Sequence, residues 1–219
     1  MKVIDIIQQA KGKTLFSFEV LPPKKGENIQ SLFDCIDPLM EFNPAFIDVT
    51  YSREQIVEKE MSDGSIKKIL TSKRPGTVGI CAAIINRYKI PVVPHLICGG
   101  FTRDETESAL IDLNYLGIKN ILAMQGDAMA SEPHFIPTHG GHAYASDLIQ
   151  QIGDMNQGLY LEEDLGNTAS TNFCVSAACY PEKHFAAKSM EEDIKYLRQK
   201  VDLGAEYLVT QLFFDNQKY

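Results

Sequence analysis

Ile121-Leu122-Ala123-Met124, running straight into Gln125-Gly126-Asp127, is the stretch whose reading decides the fold. Apolar residues in a row, without alternation, suit a strand buried on both faces, and the polar residues that follow mark where it leaves the core. The same grammar recurs outward in both directions. Toward the N-terminus, Val92–Pro94 runs into His95, Phe46–Val49 into Thr50 and Tyr51, and Phe16–Phe18 into Glu19. Toward the C-terminus, Cys174–Cys179 runs into Tyr180 and Leu208–Thr210 into Gln211. A barrel of parallel strands places its chemistry at the strands' C-terminal ends, so six such ends on one rim make one polar site above an apolar core. That pattern belongs to an enzyme.

Helical patterns alternate with these strands. Thr102 and Glu105 form a capping box, Ala109, Leu110, Leu113 and Leu116 an apolar stripe, and Gly117 a stop. Ser189 and Glu192, then Ile194, Leu197 and Val201, then Gly204 repeat the arrangement. Each glycine is followed by a strand, which is what a βα-repeat fold produces. Further helices are predicted from Asn28 to Glu41, kinked or cut short by Pro38, from Thr77 to Tyr88, and near Ala143 to Met155. The connections Ser52–Gly76 and Gln125–Asn172 are long; the first part of the second reads as functional and its acidic stretch, Glu162-Glu163-Asp164, as a solvated insertion. An open doubly wound sheet is the alternative to a barrel, but no G-x-G-x-x-G follows any strand. The expectation is an α/β protein with a TIM (β/α)8-type barrel, six of the eight strands present, forming a single domain over residues 1–219 that is C-terminally incomplete.

Composition narrows the function. The net charge is −8 with Lys and Arg scattered, so neither nucleic acid nor an anionic membrane is an expected partner. The five cysteines form no CxxC and read as free thiols in a reducing compartment. Asp5 interrupts the apolar N-terminal stretch, which reads as a short amphipathic helix rather than a signal peptide. A cytoplasmic protein is expected.

Several strand-end residues could carry chemistry. Glu19 is either a proton donor, its pKa raised by partly apolar surroundings, or a solvated glutamate. Gly126 allows close backbone approach beside the Asp127 carboxylate, although an ordinary Gly-Asp turn has the same residues. Gln211 offers donor and acceptor to a heterocycle edge, or caps the barrel end. His95 and His184 are candidates of either kind. His134, His139 and His142 share a loop, but their spacing fits no zinc pattern and no metal is expected.

At these residues the chain resembles the methylenetetrahydrofolate reductase family. The matching segments are Phe16-Ser17-Phe18-Glu19 with Pro22-Pro23, Val49-Thr50-Tyr51, Pro94-His95-Leu96, Gly126-Asp127, Tyr144-Ala145-Ser146-Asp147-Leu148, Ala178–Glu182 through His184, Lys200–Ala205 and Thr210–Asp215, in family order. The resemblance implies an eight-stranded barrel holding FAD, reduced by NADH or NADPH, that converts methylenetetrahydrofolate to methyltetrahydrofolate for methionine synthesis, with ping-pong kinetics. It implies that Glu19 is the general acid that opens the folate's five-membered ring, that Asp127 tunes flavin and pterin electrostatically, and that Gln211 binds pterin or nicotinamide. Thr50, Tyr51, His95, Gln125, Gly126, Tyr144, Ala145, Tyr180, His184, Ala187, Asp193 and Lys200 fall at its cofactor-contact positions. A homo-oligomer is also implied. The chain departs from the family at Gln125, where an arginine is familiar, and at Tyr196 and Gln199 in place of an asparagine and an arginine. Rival readings are a flavin barrel of proline-dehydrogenase type and a non-catalytic flavin- or folate-binding remnant.

Overall fold

The computed structural model describes residues 1–219 apart from Glu54, Ala130 and Glu163 and the side chain of Leu70. Its frame is a curled sheet of six parallel strands. These are β1 (Ser17–Val20), β2 (Phe46–Val49), β5 (Val92–Ile97), β6 (Asn120–Met124), β7 (Cys174–Cys179) and β8 (Ala205–Thr210), in that order across the sheet. It is part of a TIM-type barrel, as the strand ends predict. Two strands run longer than their apolar cores: β5 continues past His95 to Ile97 and β8 starts at Ala205. β1 begins at Ser17, leaving Phe16 57% exposed, and carries Glu19 inside the strand rather than beyond it.

Strand alternation sorts the side chains onto two faces. Val20, Ile47, Val49, Val92, Leu96, Ile121, Ala123, Val175 and Ala177 face the helices and build the main core with Leu32, Ile84, Leu110, Leu148 and Ile152. The helices are α2 (Gln30–Ile36), α3 (Thr77–Tyr88), α4 (Arg103–Tyr115), α5 (Ala145–Asn156) and α6 (Met190–Asp202). Pro38 ends α2 early, and a 3-10 turn continues over Asp37–Phe42. The Thr102–Glu105 capping box opens α4 with both reciprocal bonds made, at 3.1 and 2.8 Å. Ser189 caps α6 through its hydroxyl, but Ile194 and Val201 of the α6 stripe stay 56% and 46% exposed, because α6 lies beside the edge strand β8.

The inner face of the sheet is sealed at the bottom by α1 (Val3–Ala10). Val3 is fully buried against Val93 and Leu122. Asn120 fixes it there, accepting from the Val3 amide at 2.7 Å and donating to the carbonyls of Met1 and Val92.

The described residues of the excursion Ser52–Gly76 are not all loop. It holds an antiparallel hairpin of β3 (Gln55–Glu60) and β4 (Ile66–Thr71). Gly64 takes a φ of +77° at its turn and Asp63 accepts from the Ser65 amide at 2.9 Å. Asp-Gly between β-branched runs is a hairpin signal that the charge of the segment masked. In the acidic insertion Glu162 and Asp164 are exposed as expected, while Glu163 lies outside the described residues. All five cysteines are free, three of them (Cys81, Cys98 and Cys174) buried. No helix among the described residues is long and apolar enough to cross a membrane.

Candidate functional site

The polar strand ends gather on one rim, as parallel strands require. At β1, Glu19 is exposed, and its carboxylate accepts from the Thr50 hydroxyl of the neighbouring strand at 2.8 Å. The partly apolar surroundings expected of Glu19 are absent here, because β1 is an edge strand with a neighbour on one side only. Glu19 shares a hollow of about 460 Å³ with Thr210, Gln211, Leu212 and Phe213 from the end of β8. The two edges of the curled sheet thus bring the predicted acid and the predicted amide together. Asp127 is not part of that hollow; it lies exposed after β6, where its charge acts on Tyr180.

A second hollow of about 350 Å³ lies beyond β7, lined by Tyr180, Asp193, Ile194, Leu197 and Lys200 among others. Lys200 reaches back from α6 to donate to the Ala178 carbonyl at 3.0 Å; burial lowers its pKa and Asp193 opposes that. Asp193 also accepts from the His184 amide at 2.8 Å. The His184 ring packs edge-on against Tyr180, with centroids 4.6 Å apart, and burial lowers its pKa. Burial raises the Tyr180 phenol, and Asp127 and Asp193 push the same way. Ala187 is buried, and its carbonyl accepts from the Lys183 ammonium at 2.5 Å, which holds the turn after β7 in shape.

Between the hollows stand the remaining predicted residues. Tyr51 packs against Phe101 with ring centroids 5.1 Å apart. Gln125 donates to the Ala143 carbonyl at 2.8 Å and so ties the end of β6 to the start of α5, where Tyr144 is 64% exposed and Ala145 buried. Gly126 has a φ of +84°, and a Cβ there would meet Ile97 at 3.1 Å. Only glycine fits that turn without strain. His142 faces the core against Gln151, whereas His134 and His139 are exposed.

His95 differs from its expected place. It sits within β5, 3% exposed, on the inner face, and neither ring nitrogen has a hydrogen-bond partner. Its neighbour is Asp48, with 3.7 Å between Nε2 and Oδ1. Asp48 is half-buried and stands in register with Glu19 on the adjoining strand. Burial raises its pKa, His95 opposes the rise, and the Glu19 charge adds to it. Sequence reading missed Asp48, although a carboxylate inside Phe46-Ile47-Asp48-Val49 was the available signal. It also missed Arg53, whose side chain is 13% exposed and pairs with Glu132 at 3.1 Å.

Taken together, the rim offers two hollows, a glycine cradle, orphaned imidazole nitrogens and a lysine within the field of an aspartate. That donor and acceptor set fits an extended ligand with a flat heterocycle at one end and polar groups along its length.

The family model for methylenetetrahydrofolate reductase matches residues 3–219. The chain is 31% identical over 215 residues to 5,10-methylenetetrahydrofolate reductase of Escherichia coli, covering 97% of this chain and 60% of that protein. It is 32% identical over 226 residues to the probable methylenetetrahydrofolate reductase (NADH) of Oryza sativa, covering 98% of this chain and 33% of that protein. The chain therefore spans 60% or less of the length of these relatives. Among solved structures, 2,3-dimethylmalate lyase, a member of the PEP mutase/isocitrate lyase superfamily, shares the fold with a TM-score of 0.53 at 10% identity, over 99% of this chain and 64% of that one.

Proposed function

The chain belongs to the methylenetetrahydrofolate reductase family, and on that premise we propose that residues 1–219 form a flavin-binding barrel domain that reduces methylenetetrahydrofolate to methyltetrahydrofolate. The observation that carries this reading is the shared hollow of Glu19 and Gln211, with the Glu19 carboxylate held by Thr50.

The residues present fit FAD. His95, Thr50, Tyr51 and the Gly126 cradle would hold its ring system, with Gln125 bracing the turn. Tyr144, Ala145, Tyr180, His184, Ala187, Asp193 and Lys200 would hold the remainder. Bound there, FAD would supply two-electron chemistry between NADH or NADPH and the folate.

The protein's own part is position, one proton and local charge. Gln211 presents both a donor and an acceptor to the pterin or the nicotinamide in turn. Glu19, aligned by Thr50, gives its proton to a nitrogen of the folate's five-membered ring as that ring opens. Its desolvation comes from the ligands that cover it, since the chain leaves it exposed. Asp127 adds a fixed negative charge at the rim. The product would feed methionine synthesis, and the free cysteines suit a reducing cytoplasm.

The exposure of Glu19 favours one other reading, a flavin- or folate-binding piece without turnover. An anaerobic visible spectrum with FAD, titrated with NADH and then methylenetetrahydrofolate, separates the two. Bleaching followed by recovery of oxidised flavin is expected; flavin bound without bleaching would leave only the binding role, and bleaching without recovery would remove the folate as oxidant. Glu19→Gln is expected to keep flavin binding and NADH bleaching while folate-dependent recovery slows by roughly 10²–10⁴-fold. Unchanged recovery would remove Glu19 from the acid role.

A further inference from the structure

Arg53 has no role in the reading proposed above, yet it links the segment after β2 to the loop after β6. It follows β2 by a few residues, and its guanidinium crosses to the loop after β6. Nη1 donates to the Asp127 carbonyl at 3.3 Å and to Glu132 Oε2 at 3.1 Å, while Nη2 donates to the Ile136 carbonyl at 3.3 Å. The guanidinium lies over the Phe135 ring, 5.4 Å from its centroid. Between the two strands it passes the turn after β5, where a Cβ on Gly99 would sit 2.8 Å from its Nε. As the fork lies, it occupies the space a side chain at Gly99 would take.

Among its described residues the loop it grips holds no helix or strand. Its far half is tied to α4 through the Gly140 carbonyl accepting from the Arg103 amide, and to the turn after β5 through Thr138 accepting from the Gly100 amide. Its near half, residues 127–136, is the part that Arg53 binds. Arg53 joins this half to the segment after β2 through three hydrogen bonds, and Phe135 packs against the main core. Glu132 completes the clasp by accepting from the Met129 amide at 2.9 Å and neutralising the guanidinium. With its charge balanced, Arg53 acts by geometry, and a planar fork that spans two carbonyls and a carboxylate is what arginine offers and lysine does not.

We propose that Arg53 is a positioning residue that clamps the backbone of Asp127 and so fixes the Gly126-Asp127 turn against the strand end carrying Thr50 and Tyr51. This rests on the flavin reading of the rim for its consequence, but the clamp itself is testable without any ligand. Hydrogen exchange on the chain alone compares wild type with the double variant Arg53→Met/Glu132→Met, which removes both charges together. Amides of residues 127–136 are expected to exchange about tenfold or more faster while those of α4 and α5 do not change. Unchanged exchange in 127–136 would overturn the clamp, whatever the fate of the flavin reading. Should the double variant not fold, Arg53→Lys serves, since it keeps a charge beside Glu132 and gives up the fork; the same local rise is expected, and its absence overturns the clamp.

The link to Asp127 is read from a cycle in FAD-loaded protein, following the rate of flavin bleaching by NADH. Arg53→Lys is expected to slow bleaching in wild type and to add nothing in an Asp127→Asn background. A full additional loss in that background would mean that Arg53 does not act through Asp127. A wild type that binds no flavin would defeat the functional reading and leave the exchange result standing.

Discussion

Asp48 and His95 show how one buried side chain changes the meaning of another. On the inner face, their 3.7 Å approach places a carboxylate beneath an imidazole whose nitrogens have no other protein partner. Glu19 is in register on one side, the Cys81 thiol lies behind on α3, and the Tyr207 phenol faces Asp48 from β8, each interacting with its charge. Burial holds the Asp48 carboxyl above the ordinary range. A carboxyl that binds its proton more tightly folded than unfolded stabilises the fold fully below its unfolded pKa, about 3.9, and loses that contribution as pH rises through the folded value. Asp48→Asn is therefore expected to melt with wild type below about pH 4 and about 2–4 °C above it near pH 8. Calorimetry at both ends of that range checks this, and coincident melting at the alkaline end would show that Asp48 is not strained by burial. The position of Asp48 in its strand was readable from the sequence; its partner was not, since β2 and β5 are joined only by folding.

At the scale of elements, the capped helices follow their local signals closely. Thr102 and Glu105 satisfy two orphan amides of α4 in the arrangement their spacing predicts. Thr102→Ala is expected to destabilise the chain by about 1 kcal/mol, or roughly 2–4 °C of melting temperature. A urea titration should shift in midpoint without a change in slope, and an unshifted midpoint would mean the cap contributes nothing. Strands were less legible. Their apolar centres mark them, but pairing extends β5 through His95 to Ile97 and β8 back to Ala205, because a neighbouring ladder recruits polar residues that pattern alone assigns to loops. The hairpin β3–β4 escaped for the opposite reason: its charged residues cover an alternation that the Asp63-Gly64 turn pins in register.

For the whole molecule, the open sheet is the governing fact. β1 and β8 each pair on one side only, and Leu208, Leu212 and Phe214 near the second edge are 40%, 75% and 89% exposed. Unpaired strand edges beside apolar surface recruit other chains. Light scattering on the purified chain is expected to give particles heavier than 24.5 kDa, with the mass rising with concentration; a monodisperse 24.5 kDa species would oppose this. The sequence by itself determined the strand centres, the helix caps, the barrel class and the identity of the polar strand ends, because those signals are local and fix periodicity and backbone geometry within a few residues. Only tertiary structure decided that Glu19 meets Gln211 across the two edges, that His95 lies buried over Asp48, and that Arg53 grips the Asp127 loop. Those pairings join residues 47 to 192 positions apart, and their distances depend on the curl and register of the whole sheet.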